Sequence, residues 1–218
     1  MEQASFELPV AKVPAVADRA PLVRRARFLA ALGLGWHLVE AAIALIAGLA
    51  AGSIALVGFG ADSFVEGAAG VVVLWRFSAQ REASEAAERR AQRLIGASFF
   101  AIAIYVGVEA VRTLVAGDHP ASSWVGIGLA LVTLATMPPL AAAKARVGEK
   151  LNSAATRSEG RQNLLCAYLS AALLVGLVAN AALGWWWADP AAALVIALAA
   201  VDEGRDAWRG EGCADDCC

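Results

Sequence analysis

The chain has 218 residues, enough for one domain or two small ones, with 59% hydrophobic and 17% charged residues and a mean hydropathy of +0.60. Ordinary soluble domains hold roughly 45–50% apolar and about 25% charged residues. The bias excludes a soluble enzyme with a separate catalytic domain, and a net charge of −2 without a basic face excludes a nucleic-acid binder.

The first 27 residues carry Glu2, Glu7, Asp18 and the prolines Pro9, Pro14 and Pro21, with no continuous apolar core. They are not read as a signal peptide. Residues 1–23 are expected to be a disordered cytosolic tail, 24–208 a six-helix transmembrane domain, and 209–218 a Cys/Asp-rich cytosolic tail. Six apolar runs follow, at about 28–50, 54–76, 94–116, 122–143, 161–183 and 185–203, each long enough to cross a bilayer of roughly 30 Å. The fold class is therefore an all-α membrane protein of six transmembrane helices.

Lys and Arg set the orientation. They cluster before span 1, between spans 2 and 3, between spans 4 and 5 and after span 6; only Arg112 lies on the other side. Both termini are accordingly placed in the cytoplasm. The opposite loops are short, at 51–53, 117–121 and about 184. Trp185, Trp186 and Trp187 form an aromatic anchor at the outer interface. Asp189 is expected to cap span 6, with Pro190 in its first turn. Pro138 and Pro139 are expected to bend or end span 4, and the helix of span 5 is expected to begin well before Arg161.

Ionisable groups inside a span each cost about 2.5–3.5 kcal/mol on insertion scales. Span 2 contains Asp62 and Glu66, four residues apart and hence on one helix face. Two such carboxylates repel unless they share a proton or hold a cation. Span 5 opens with Glu159, Gln162 and Cys166, stacked at i, i+3 and i+7. A thiolate with carboxylates suits Zn²⁺ or another borderline-soft ion; alternatively Cys166 is a small buried hydrophobe and Gln162 an interhelical hydrogen bonder. His37 and Glu40 in span 1 are assigned to a polar pathway or to proton transfer, or to bonding each other. Glu109 and Arg112 are read as a self-paired couple, and Thr133, Thr136 and Met137 as packing residues. Three cysteines end the chain, Cys213, Cys217 and Cys218, beside Asp215 and Asp216. In a reducing cytosol they are expected as thiols that chelate a soft metal, carry lipid, or do neither.

The run Ala51-Gly52-Ser53-Ile54-Ala55-Leu56-Val57-Gly58-Phe59-Gly60-Ala61-Asp62-Ser63-Phe64-Val65-Glu66 resembles the second-span region of the cation diffusion facilitator, or cation efflux, family. Arg157-Ser158-Glu159-Gly160-Arg161-Gln162 and Trp187-Ala188-Asp189-Pro190 are similar to the family's approaches to spans 5 and 6. The resemblance implies a six-span transporter of zinc or manganese with a likeness over residues 24–208. It implies that Asp62 and Glu66 occupy the second-span metal pair, and that Gln162 and Cys166 stand where the fifth-span His and Asp usually do. It also implies a short, membrane-only branch without the family's cytosolic C-terminal domain.

The expected activity is efflux of a divalent cation, Zn²⁺ first, in exchange for protons. The ion would bind between helices 2 and 5 on Asp62, Glu66, Cys166, Gln162 and Glu159. No prosthetic group and no enzyme chemistry are expected: the chain lacks a Gly-x-x-x-x-Gly-Lys loop and a hydrolase triad. The expected partners are the lipid bilayer, the metal ion, protons and a second copy in a homodimer. The expected location is a bacterial inner membrane. The competing reading is a metal-binding membrane protein that does not transport, a sensor or an assembly partner.

Overall fold

The computed structural model describes residues 16–78, 85–151 and 153–209. They form six α-helices: α1 (Val16–Ala51), α2 (Ile54–Ser78), α3 (Glu85–Ala116), α4 (Trp124–Leu151), α5 (Ala154–Leu183) and α6 (Ala188–Arg209). α1, α3, α4 and α5 are long and apolar enough to cross a membrane. α6 carries Asp189, Asp202 and Glu203, which dilute its hydropathy, and α2 is apolar apart from Asp62 and Glu66. Polarity is inverted relative to a water-soluble bundle. Large apolar side chains such as Ile46, Leu49, Val108, Val115 and Val175 are exposed, while His37, Glu40, Asp62, Glu66, Thr133 and Asn163 are buried. Lipid accepts the first set, and the second must find its partners inside.

Helix association in lipid rests on close packing more than on the hydrophobic effect, so small residues mark the seams. α2 lies at the centre, packed on α1, α3, α5 and α6. Gly60 meets Ala44 and Leu45 of α1, and Gly58 meets Val106 of α3 and Ile196 of α6. Gly160 of α5 sits against the backbone of Ala141 and Ala145, which closes the α4–α5 hairpin. At Gly176 an added Cβ would stand 2.8 Å from that of Ala192 and 3.0 Å from the carbonyl of Ala188. Gly176→Leu should therefore cost about 1–3 kcal/mol. Its thermal midpoint in detergent should fall, whereas Gly128→Leu, at a position with no atom within 4 Å, should leave it unchanged. Equal midpoints for the two variants would refute this seam.

α1, α3 and α5 all stop at a glycine with positive φ, Gly52 (65°), Gly117 (70°) and Gly184 (67°), a conformation that side chains with a Cβ resist. The three turns lie at one end and are bonded together. The Ala121 amide donates to the Ala51 carbonyl at 2.8 Å, and Asn180 donates to the Pro120 carbonyl at 2.9 Å. Trp185 stacks on Trp187, and Trp186 on His119.

Some element ends differ from the sequence reading. α1 starts at Val16, so residues 16–23 of the expected tail are helical; 1–15 lie outside the described residues. α4 does not end at Pro138 and Pro139 but runs on to Leu151, because neighbouring helices and side chains can re-satisfy the backbone groups that a proline frees in a membrane helix. Asp189 does not cap its own helix. Its carboxylate accepts from the Ser53 hydroxyl and, at 3.4 Å, from the Ala55 amide, so it caps the start of α2 from the start of α6. Other expectations hold. α5 begins at Ala154, well before Arg161, behind the cap Ser153, whose hydroxyl accepts from the Thr156 amide. Glu109 and Arg112 pair, 3.5 Å apart on the surface.

Candidate metal centre

The buried face of α5 steps through Glu159, Asn163, Cys166, Ser170, Leu173 and Leu177, alternating four and three residues, as a helix must when one stripe faces a bundle. α1 contributes His37 and Glu40 one turn apart, α2 contributes Ser63 and Glu66, and α4 contributes Thr133 and Met137. These side chains meet in the interior.

Glu40 is 0% exposed. One of its oxygens accepts from the Thr133 hydroxyl; the other accepts from Ser63 at 3.0 Å and lies 3.7 Å from the Cys166 sulfur. Thr133 is thus a polar partner and not the packing residue expected. Met137 is also more than filler, since its sulfur accepts from Asn163 Nδ2 at 3.1 Å. The same amide nitrogen lies 3.2 Å from His37 Nε2 and fixes that ring. Thr136 bonds only backbone, the Val132 and Thr133 carbonyls.

Three buried side-chain polar atoms among the described residues have no hydrogen-bond partner: Trp36 Nε1, His37 Nδ1 and Glu66 Oε2. The last two face each other at 3.4 Å, and His37 Nδ1 lies equally 3.4 Å from Glu40 Oε2. An unpaired buried polar atom costs about 1–3 kcal/mol, so two that converge favour an occupant between them. His37, Glu66 and Cys166 each offer one ligand atom, and these atoms lie within 4.8 Å of one another. Ligands around a single tetrahedral zinc stand roughly 3.3–3.8 Å apart, given bonds of about 2.0–2.3 Å. Closing the group by about an ångström would bring it to that geometry.

Of the residues singled out from the sequence, the structure brings together Glu66, Cys166, His37 and Glu40. The others are placed elsewhere. Glu159 is paired with Lys144, 3.5 Å away and equally buried. Gln162 is only half-buried, and its neighbour Asn163 takes the inward position. Asp62 lines a cavity between α2, α5 and α6 that Glu66 lines as well. Cys213, Cys217 and Cys218 lie outside the described residues. Sequence reasoning misses Asn163 and the supporting hydroxyls of Ser63 and Thr133. The phase of α5 set by Leu173 and Leu177 is the signal that points to Asn163.

A helical integral membrane protein with a buried interior polar site and a three-donor set for a cation is the class these observations define. Residues 31–209 match the cation efflux transmembrane domain, and the chain belongs to that family. It is 28% identical over 181 residues to an uncharacterized transporter of Synechocystis sp., an alignment covering 79% of this chain and 58% of that protein. The chain thus spans rather more than half the length of the relative it matches.

Proposed function

We propose that this chain exports a divalent metal cation, Zn²⁺ first, across a bacterial inner membrane in exchange for protons, with both termini in the cytoplasm and two copies forming a dimer. Family membership supports cation transport. The observation that carries the finer reading is the pair of orphaned, converging atoms His37 Nδ1 and Glu66 Oε2 beside the Cys166 sulfur. Imidazole, carboxylate and thiolate together are a zinc-type donor set. Glu40, 3.4 Å from His37 and 3.7 Å from Cys166, supplies a fourth position. Metal binding requires the thiol and carboxyl groups to give up their protons, so loading the site releases protons and unloading takes them up. Alternating access would then rock helices around an ion held near the middle of the membrane.

The test is Zn²⁺ flux into proteoliposomes under an imposed pH gradient. The parent should transport, collapse of the gradient should stop it, and Glu66→Gln should lower the flux at least about tenfold, the loss of roughly 1.4 kcal/mol of stabilisation or more. Equal flux from parent and variant would sink the mechanism. Flux indifferent to the gradient would remove proton exchange. Metal binding without any flux would favour the sensor or assembly-partner reading.

A further inference from the structure

α3 and α6 leave a groove of about 280 Å³ at the end of the bundle away from the tryptophan turns, lined by Phe100, Arg205, Trp208 and Arg209. Its shape is set by backbone contact. At Gly96 an added Cβ would stand 3.0 Å from the Gly204 carbonyl and 3.2 Å from the Trp208 amide nitrogen, and at Gly204 one would stand 3.1 Å from the Phe100 ring. The two glycines let the helices touch. Phe100 and Trp208 then meet as a tilted pair, ring centroids 6.4 Å apart at 59°, a favourable aromatic geometry and an apolar floor. The apolar stretch of α3 begins at Gly96, so Phe100 lies about one turn, roughly 6 Å, inside it. Gly96 is level with Gly204 and Trp208, so Arg205 and Arg209, one turn apart on a shared face, reach headgroup depth with their long side chains.

The lining holds two cations and no acid; Asp202 and Glu203 line the cavity on the α2 and α5 side. Arg205 donates to Asp202 at 3.4 Å. Both side chains are exposed, where such a pair is weak, and that bond engages one of the guanidinium's five N–H donors. A guanidinium fork matches phosphate oxygens, and basic pockets between transmembrane helices suit anionic headgroups. A volume just under the roughly 300 Å³ at which small-molecule sites begin takes a phosphate and the root of an acyl chain.

We propose that this groove binds one anionic phospholipid, its phosphate held by Arg205 and Arg209 and the start of an acyl chain laid on Phe100 and Trp208. The ammonium of a zwitterionic lipid would stand near the same two cations and lose part of the attraction. A free phosphate would leave the aromatic floor unused. A second copy docked through the same groove would set its arginines against these, since a twofold interface pairs a patch with itself.

The full chain, stripped of lipid in a mild detergent, is titrated with phosphatidylglycerol or phosphatidylethanolamine, and bound lipid is counted by native mass spectrometry. The parent should bind one phosphatidylglycerol about tenfold or more tightly than phosphatidylethanolamine, given roughly fivefold per cation at an anionic surface. Arg205→Gln with Arg209→Gln should erase the preference. Arg24→Gln with Arg25→Gln, exposed on α1 at the same end, should keep it. Equal thermal midpoints without lipid show that all three proteins are folded. Equal affinity of the parent for the two lipids overturns the site. So does an equal loss in both double variants, which reduces the effect to overall charge. Inorganic phosphate that competes as well as the lipid assigns the arginines to a soluble anion and overturns the lipid. A dimer that phosphatidylglycerol leaves intact and Trp208→Ala dissociates assigns the groove to a second copy and overturns it too. Each of these outcomes leaves the transport reading standing.

Discussion

Lys144→Met should destabilise the folded chain by about 3–5 kcal/mol, the usual consequence of removing one partner from a buried ion pair. Lys144 is 2% exposed and Glu159 6%, and their charged atoms stand 3.5 Å apart. α1 closes over the pair so tightly that an added Cβ at Gly33 would stand 2.7 Å from Lys144 Nζ. Removing the ammonium leaves the Glu159 carboxylate buried with no counter-ion. Lys144→Met together with Glu159→Met should recover most of the loss, because two apolar chains of similar size can replace a buried pair at little cost. Unfolding of detergent-purified protein, followed by helical circular dichroism, reads both effects. A single variant as stable as the parent would mean that water reaches the pair. The double variant also separates two roles for Glu159: as part of an ion pair its loss leaves Zn²⁺ affinity intact, and as a ligand its loss would abolish it.

Cys166→Ser should lower Zn²⁺ affinity by more than about 100-fold, since losing even an outer supporting partner of a metal costs roughly 10–100-fold. Mn²⁺ affinity should change far less, by about threefold or under, because a hard ion gains little from sulfur. The sulfur sits at 0% exposure among His37, Glu40 and Glu66, so Ser keeps the size and removes only the soft donor. Competition against a chelating dye for the two metals measures the ratio. Parallel losses for both ions would show that Cys166 shapes the site without binding in it.

Glu66 and Cys166 stand out in the sequence because a charge in an apolar run is costly and a thiol at similar depth is a ready donor to a soft ion. Asp62 is harder to place, because four-residue spacing is only approximately one face. Four residues advance a helix by about 400°, leaving an offset of roughly 40° and a rise of about 6 Å. On a helix with neighbours on all sides, that is enough for Glu66 to reach His37 of α1 as well as the cavity toward α5 and α6 that it shares with Asp62. The same approximation favours Gln162 over Asn163, although the buried stripe of α5 is phased by Leu173 and Leu177 farther along. Hydropathy puts Lys144 in a loop because it reports only where lipid ends. The α4 helix passes through two prolines before that point and continues beyond it along the interface with α5. For the same reason hydropathy places the ends of α1, α3, α4 and α5 away from the tryptophans short. The ends fixed by Gly52, Gly117 and Gly184 are legible to within a few residues.

The knot formed by Ser53 with Asp189, Ala51 with Ala121 and Pro120 with Asn180 ties the inter-helix turns at one extremity of the bundle. An opening at the tryptophan-bearing extremity must first break these bonds, whereas the end where Asp202 and Glu203 stand can part with them intact. Cutting that fastening is therefore the shorter route to a protein that leaks.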